Sequence, residues 1–172
     1  MSDLRGSTRL ADELPTEAFL EWLNSYCDWT AGAITAAGGQ VVEIIGDAVL
    51  GIFPVIGDDD RAAARTALAA ARDSRERMAA AERPLAFGIG LHLGNVIFGN
   101  VGTDDRLAFG LIGSAVNEAA RIEDQTKRLG RPVLVSDAIA TVLAGDADFE
   151  DMGEHRLEGL RAPQHLWALR VQ

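Results

Sequence analysis

Apolar residues recur at helical spacing between about Thr16 and Ala37, where Phe19, Leu20, Leu23, Tyr26, Cys27 and Ile34 mark one stripe. Gly38-Gly39 ends that helix. Two short runs rich in Val and Ile, Gln40–Ile45 and Ala48–Phe53, flank Gly46-Asp47 and predict a hairpin with Asp47 at its tip. Asp58-Asp59-Asp60 then places negative charge at the start of an Ala-rich helix, where the helix dipole favours it. That helix runs to about Glu82 and stops before Pro84. Leu85–His92 and Val96–Val101 read as strands joined at Gly94-Asn95, and Leu107–Ile112 as another. Ala115–Arg128 returns to the helical period, with Gly130 as its stop. Pro132–Val135 predicts a short strand and Asp137–Leu143 a short helix. Phe149–Leu157 and Gln164–Arg170 predict a closing hairpin around Gly159 and Pro163. At the other end, Met1–Gly6 reads as the tail of a strand, and Ser7-Thr8 as a helix start. Strands and helices in this order predict an α+β or α/β sandwich, its helices packed on a sheet of mixed direction.

Composition narrows the class. The 172 residues are 48% hydrophobic and suit a single domain spanning 1–172. A net charge of −10 opposes a general nucleic-acid partner, which needs a basic footprint. Cys27 is the single cysteine, so no intramolecular disulfide framework exists. No apolar run approaches the roughly 18 residues of a spanning helix, and no charged leader precedes one. The expectation is a cytoplasmic domain without membrane contact in this fragment. An acidic protein that takes a phosphate-bearing ligand must recruit cations, and carboxylates holding metal ions are the usual means.

Two constellations fit that chemistry. Asp3 ends a strand and Asp47 sits at a hairpin tip, so strand ends can bring these distant carboxylates together. Paired carboxylates repel unless a cation lies between them, and Mg²⁺ typically takes one or two and completes its shell with phosphate oxygens and water. Gly6-Ser7-Thr8 follows at a helix start, where free N–H groups can hold phosphate. Asn117 and Arg121 lie four apart on one helix face, suited to a sugar oxygen and a phosphoryl charge. The blander readings are turn chemistry for Asp47 and a surface pair of Arg121 with Glu118. His92 reads as a satisfied core histidine; His155 and His165 have no companions at metal-ligand spacing. Gly88-x-Gly90 is strand-embedded and is no dinucleotide fingerprint. Trp22, Trp29 and Trp167 read as core or interface anchors.

Five blocks, in order, resemble the class III adenylyl/guanylyl cyclase catalytic domain. They are Ser2-Asp3-Leu4-Arg5-Gly6-Ser7-Thr8; Ile45-Gly46-Asp47-Ala48-Val49; Gly88-Ile89-Gly90-Leu91-His92-x-Gly94 with Gly99-Asn100-Val101-Gly102; Ile112-Gly113-x-x-Val116-Asn117-x-Ala119-Ala120-Arg121; and Gly153-Glu154-His155-Arg156-Leu157-x-Gly159-x-x-x-Pro163. The resemblance implies an α+β fold with a ferredoxin-like βαββαβ core and extra C-terminal strands. It implies that Asp3, Asp47 and the Leu4 carbonyl hold two Mg²⁺ or Mn²⁺ per site, that Asn117 orients the ribose, and that Arg121 stabilises the transition state. The substrate would be a nucleoside triphosphate, bound in composite sites across a homodimer. The palm-fold diguanylate cyclases are excluded, because Ile45-Gly46-Asp47-Ala48-Val49 lacks their Gly-Gly-(Asp/Glu)-Glu-Phe hairpin.

Base choice is where the chain departs from its relatives. Three residues before Gly46, adenylyl cyclases usually carry Lys and guanylyl cyclases Glu; here it is Glu43. A carboxylate accepts together from the N1–H and exocyclic amine of guanine, whereas adenine turns an acceptor towards it. The partner position, usually Asp or Thr in adenylyl and Cys in guanylyl cyclases, is Gly110. The expectation is GTP, with ATP a close second. Ser114 replaces the usual Asp or Asn, and Leu160 stands where some relatives place a phosphate-binding Lys. Arg106 is a candidate to take over phosphate binding. The first strand should be longer than the residues before Asp3 allow, which implies a core cut from a longer protein with a possible upstream regulatory domain. The alternative is a catalytically inactive cyclase-like module for dimerisation or nucleotide sensing.

Overall fold

The computed structural model describes residues 1–82, 85–103 and 106–170, apart from the side chains of residues 100–109. The fold is α+β, with helices packed on a mixed seven-stranded sheet and a separate two-stranded ribbon. The backbone divides into two compact units, Met1–Ile89 and Gly90–Gln172.

The first unit runs β1 (Ser2–Leu4), α1 (Ser7–Glu13), α2 (Thr16–Ala36), β2 (Gln40–Ile45), β3 (Ala48–Ile52) and α3 (Asp60–Ala80), then enters β4 (Phe87–Leu91). Its strands lie in the order β2-β3-β1-β4, and the pairs are antiparallel. With α1 set aside, this is the expected βαββαβ core. Alternation along β1 buries Ser2 and Leu4 and leaves Asp3 on the other face. The Ser2 and Tyr26 hydroxyls lie 2.8 Å apart, and the fully buried Tyr26 ring meets Phe87 edge-on at 5.4 Å. One aromatic of α2 therefore ties β1 to β4. The buried face of α3 is Ala64, Ala67, Leu68, Ala70 and Ala71, small enough for α2 to pack closely against it. Leu20, expected on the apolar stripe of α2, is instead half exposed; the buried positions are Tyr26, Thr30 and Ala33.

The second unit contains β5 (Ile97–Thr103), β6 (Arg106–Ile112), α4 (Ser114–Arg128), β7 (Val133–Ser136), α5 (Asp137–Val142), β8 (Phe149–His155) and β9 (Gln164–Leu169). Its sheet strands follow the order β7-β9-β8, with β8 and β9 forming the expected closing hairpin. Ile122, Leu134, Leu157, Leu166 and Ala168 form its core, edged by Leu129, Met152 and Leu160. Gly90, one of the two strand-embedded glycines, has a steric reason. A Cβ there would lie 2.5 Å from the Ala119 carbonyl oxygen and from the Glu123 amide nitrogen, so α4 crosses where only glycine fits. The expected junction at Gly94-Asn95 does not pair β4 with β5. Instead β5 pairs antiparallel with β6, from Ile97 opposite Ile112 to Thr103 opposite Arg106. A Cβ on Gly94 would lie 2.7 Å from the Ala115 methyl, so the chain leaves β4 pressed against the first turn of α4.

Candidate active site

Strand register in the first unit brings the main chain at Asp3 next to the turn that carries Asp47. Asp3 pairs with Ala48, the residue after Asp47, and the Leu4 amide donates to the Asp47 carbonyl oxygen at 3.1 Å. Asp47 occupies the β2–β3 turn, where Gly46 takes φ 62°, a left-handed conformation that glycine adopts without strain. Both aspartates are half-buried. Among the described residues no group of three or more His, Cys, Asp or Glu side chains gathers in one place. The candidate donors are the Asp3 and Asp47 carboxylates and the Leu4 main-chain carbonyl. All of these donors are oxygens, which fits a hard divalent cation such as Mg²⁺ or Mn²⁺ rather than a thiolate- or imidazole-seeking metal.

Gly6 follows at φ 73° as the N-cap of α1, with no side-chain cap over the helix end. The backbone of Ser7 and Thr8 forms the first turn beside it. Glu43 lies on β2 opposite Leu50, just after a bulge between Val41 and Glu43, and its side chain is exposed.

The second unit carries the amide and the guanidinium. Asn117 is exposed on α4, and Arg121 sits one turn later with 41% of its side chain accessible. Arg121 donates from Nη1 to Asp124 at 3.1 Å; the surface pair with Glu118 is not formed. Glu118 instead faces His92, whose Nε2 lies 3.5 Å from its carboxylate. His92 is not the satisfied core histidine the sequence suggests: its Nδ1 is buried without a hydrogen-bond partner. Burial pushes its pKa below the usual 6.5, and the Glu118 charge opposes that shift. Gly110 pairs with Gly99 across the ribbon, and a Cβ on either would meet open space. Arg106 opens β6, but its side chain lies outside the described residues. Trp167 is half-buried, donates from its indole N–H to Asp137 and stacks on His165, so it is a surface brace rather than a core anchor. Sequence reasoning missed the His92–Glu118 contact, which joins residues far apart in the chain. The only signal for it was a polar ring in an apolar strand.

Residues 1–170 match the adenylate and guanylate cyclase catalytic domain family. The chain is 31% identical over 153 residues to an adenylate cyclase of Anabaena cylindrica, covering 86% of this chain and 30% of that protein. It spans less than a third of the length of the curated relatives it matches. Its fold is similar to that of the adenylyl cyclase CyaB from P. aeruginosa, with a TM-score of 0.86, 24% identity and coverage of 99% and 91% of the two chains. It is also similar to the guanylate cyclase domain of RhGC from Catenaria anguillulae, solved with GTP, with a TM-score of 0.83, 22% identity and coverage of 99% and 93%.

Proposed function

The chain belongs to the adenylate and guanylate cyclase catalytic domain family, and from that premise we propose that it converts a purine nucleoside triphosphate to its 3′,5′-cyclic monophosphate and pyrophosphate. The observation that carries this reading is the strand register that sets Asp3 beside Asp47, through Leu4 N–H to the Asp47 carbonyl at 3.1 Å. An inactive relative has no chemical need for both carboxylates. In the reaction the ribose 3′-oxygen bonds to the α-phosphorus, the bond from that phosphorus to the bridging oxygen breaks to release pyrophosphate, and the 3′-hydroxyl proton passes to solvent.

Asp3, Asp47 and the Leu4 carbonyl would hold Mg²⁺ or Mn²⁺, two per site. When bound, such ions neutralise triphosphate charge and lower the pKa of the attacking hydroxyl. The main chain at Gly6, Ser7 and Thr8 offers N–H donors to the terminal phosphates. Asn117 orients the ribose, and Arg121 stabilises negative charge growing on the α-phosphoryl oxygens. Glu43 accepts from guanine, which favours GTP; Gly110 supplies no side chain to complete the reader, so ATP stays second. The relatives include both adenylate and guanylate cyclases, and likeness alone therefore does not choose the base.

The site is shared between two copies of the chain, with Asp3 and Asp47 from one and Asn117 and Arg121 from the other. The exposed apolar residues Val96, Ile97, Phe98 and Ile112 suit a homodimer interface. No helix among the described residues is long and apolar enough to cross a membrane. The test is cyclic product from purified protein given GTP or ATP with Mn²⁺, abolished by Asp47→Ala. No product from either nucleotide, with Asp47→Ala indistinguishable from the parent, sinks the enzyme reading.

A further inference from the structure

Arg121 has two carboxylates within helical reach, Glu118 one turn before it and Asp124 one turn after. It uses only the second, through a single 3.1 Å contact in which both side chains are largely exposed. Glu118, more deeply set, is turned to His92 at 3.5 Å. The imidazole has little freedom there. Its side chain is 12% accessible, and Gly94 comes so near that a Cβ would lie 2.8 Å from Nε2.

We propose that His92 is a positioning residue that holds the Glu118 carboxylate away from Arg121 and so keeps the guanidinium free for the phosphoryl group. The inference rests on the cyclase reading, in which Arg121 acts on the substrate. Arg121 in its exposed pair with Asp124 exchanges partners easily, because such pairs are weak. A second carboxylate alongside would hold it in place and add negative charge where the substrate already brings several. Within the protein Nδ1 has no hydrogen-bond partner, a polar cost that leucine in the same space would not carry.

The experiment compares His92→Leu, Glu118→Gln and the double variant. His92→Leu is expected to keep or raise Tm, because it deletes a buried unpartnered nitrogen. Its kcat should fall by up to about twofold, the worth of one helical ion pair, with KM for the nucleotide unchanged. Glu118→Gln should stay near the parent, and adding it to His92→Leu should restore kcat. A double variant as slow as His92→Leu, or a His92→Leu enzyme with unaltered kcat, overturns the proposal. An NMR titration of His92 reads the pair without turnover. Among the described residues Glu118 is the charge acting on that ring, so Glu118→Gln should lower the His92 pKa further. An unchanged titration overturns the pairing even if the parent makes no cyclic nucleotide, whereas an inactive parent with a shifted titration counts against the cyclase reading alone.

Discussion

At the scale of single residues, charge and hydrogen-bond valence set the outcomes. Arg121→Ala should lower kcat by about 10²-fold or more with little change in KM, as for loss of one transition-state donor; steady-state kinetics check this. Glu43→Lys should weaken use of GTP and improve use of ATP, because an ammonium donates where a carboxylate accepts. An unchanged GTP/ATP ratio of kcat/KM would remove Glu43 as the base reader. His92 predicts a pH effect on stability. Burial holds its pKa below 6.5 in the folded chain, so the unfolded chain binds the proton more readily. Its contribution is therefore present above about pH 6.5 and lost as the pH falls through the folded value. Urea unfolding between pH 7.5 and 5.5 should show the parent losing more stability than His92→Leu.

At the scale of elements, helix starts and close approaches carry the weight. The Asp59 side chain accepts from the Ala62 amide at 2.8 Å and caps α3. Asp59→Ala should cost about 1 kcal/mol, measured by denaturant unfolding. Gly90→Ala should cost about 1–3 kcal/mol, because the new methyl meets helix backbone rather than a side chain that can yield. It should lower kcat as well, since α4 carries Asn117 and Arg121. Gly99→Ala is the matched control: open space surrounds it, so Tm should hold or rise slightly. Most elements were legible in the sequence because periodicity is local. The helices from Thr16, Asp60 and Ser114 and the hairpins at Gly46-Asp47 and Gly159 all lie within a few residues of expectation. The pairing of β5 with β6 was not legible, because a strand's partner depends on where the chain is steered after Gly94.

At the scale of the whole molecule, turnover under the proposed mechanism depends on two copies of the chain sharing each site. Asp47→Ala and Arg121→Ala proteins, each strongly impaired alone, should recover part of the parent activity when mixed, through one intact site per heterodimer. Heterodimers that form without any recovery would refute composite sites. The exposed Ile97 and Ile112 face each other across the ribbon strands. Ile97→Glu with Ile112→Glu should therefore yield a folded monomer by sedimentation and abolish turnover.

Taken alone, the sequence determined most secondary elements and named the candidate groups Asp3, Asp47, Asn117 and Arg121; its periodicity left α+β and α/β open, and the family resemblance pointed to α+β. It determined these because side-chain period, turn residues and motif spacing are properties of neighbours in the chain. Only the tertiary structure decided which groups meet. Strand register set Asp3 beside Asp47, the crossing of α4 made Gly90 obligatory, and the loop after β4 turned Glu118 towards His92 instead of Arg121. Those contacts join residues distant along the chain, and packing rather than local preference selects among the partners each residue can reach.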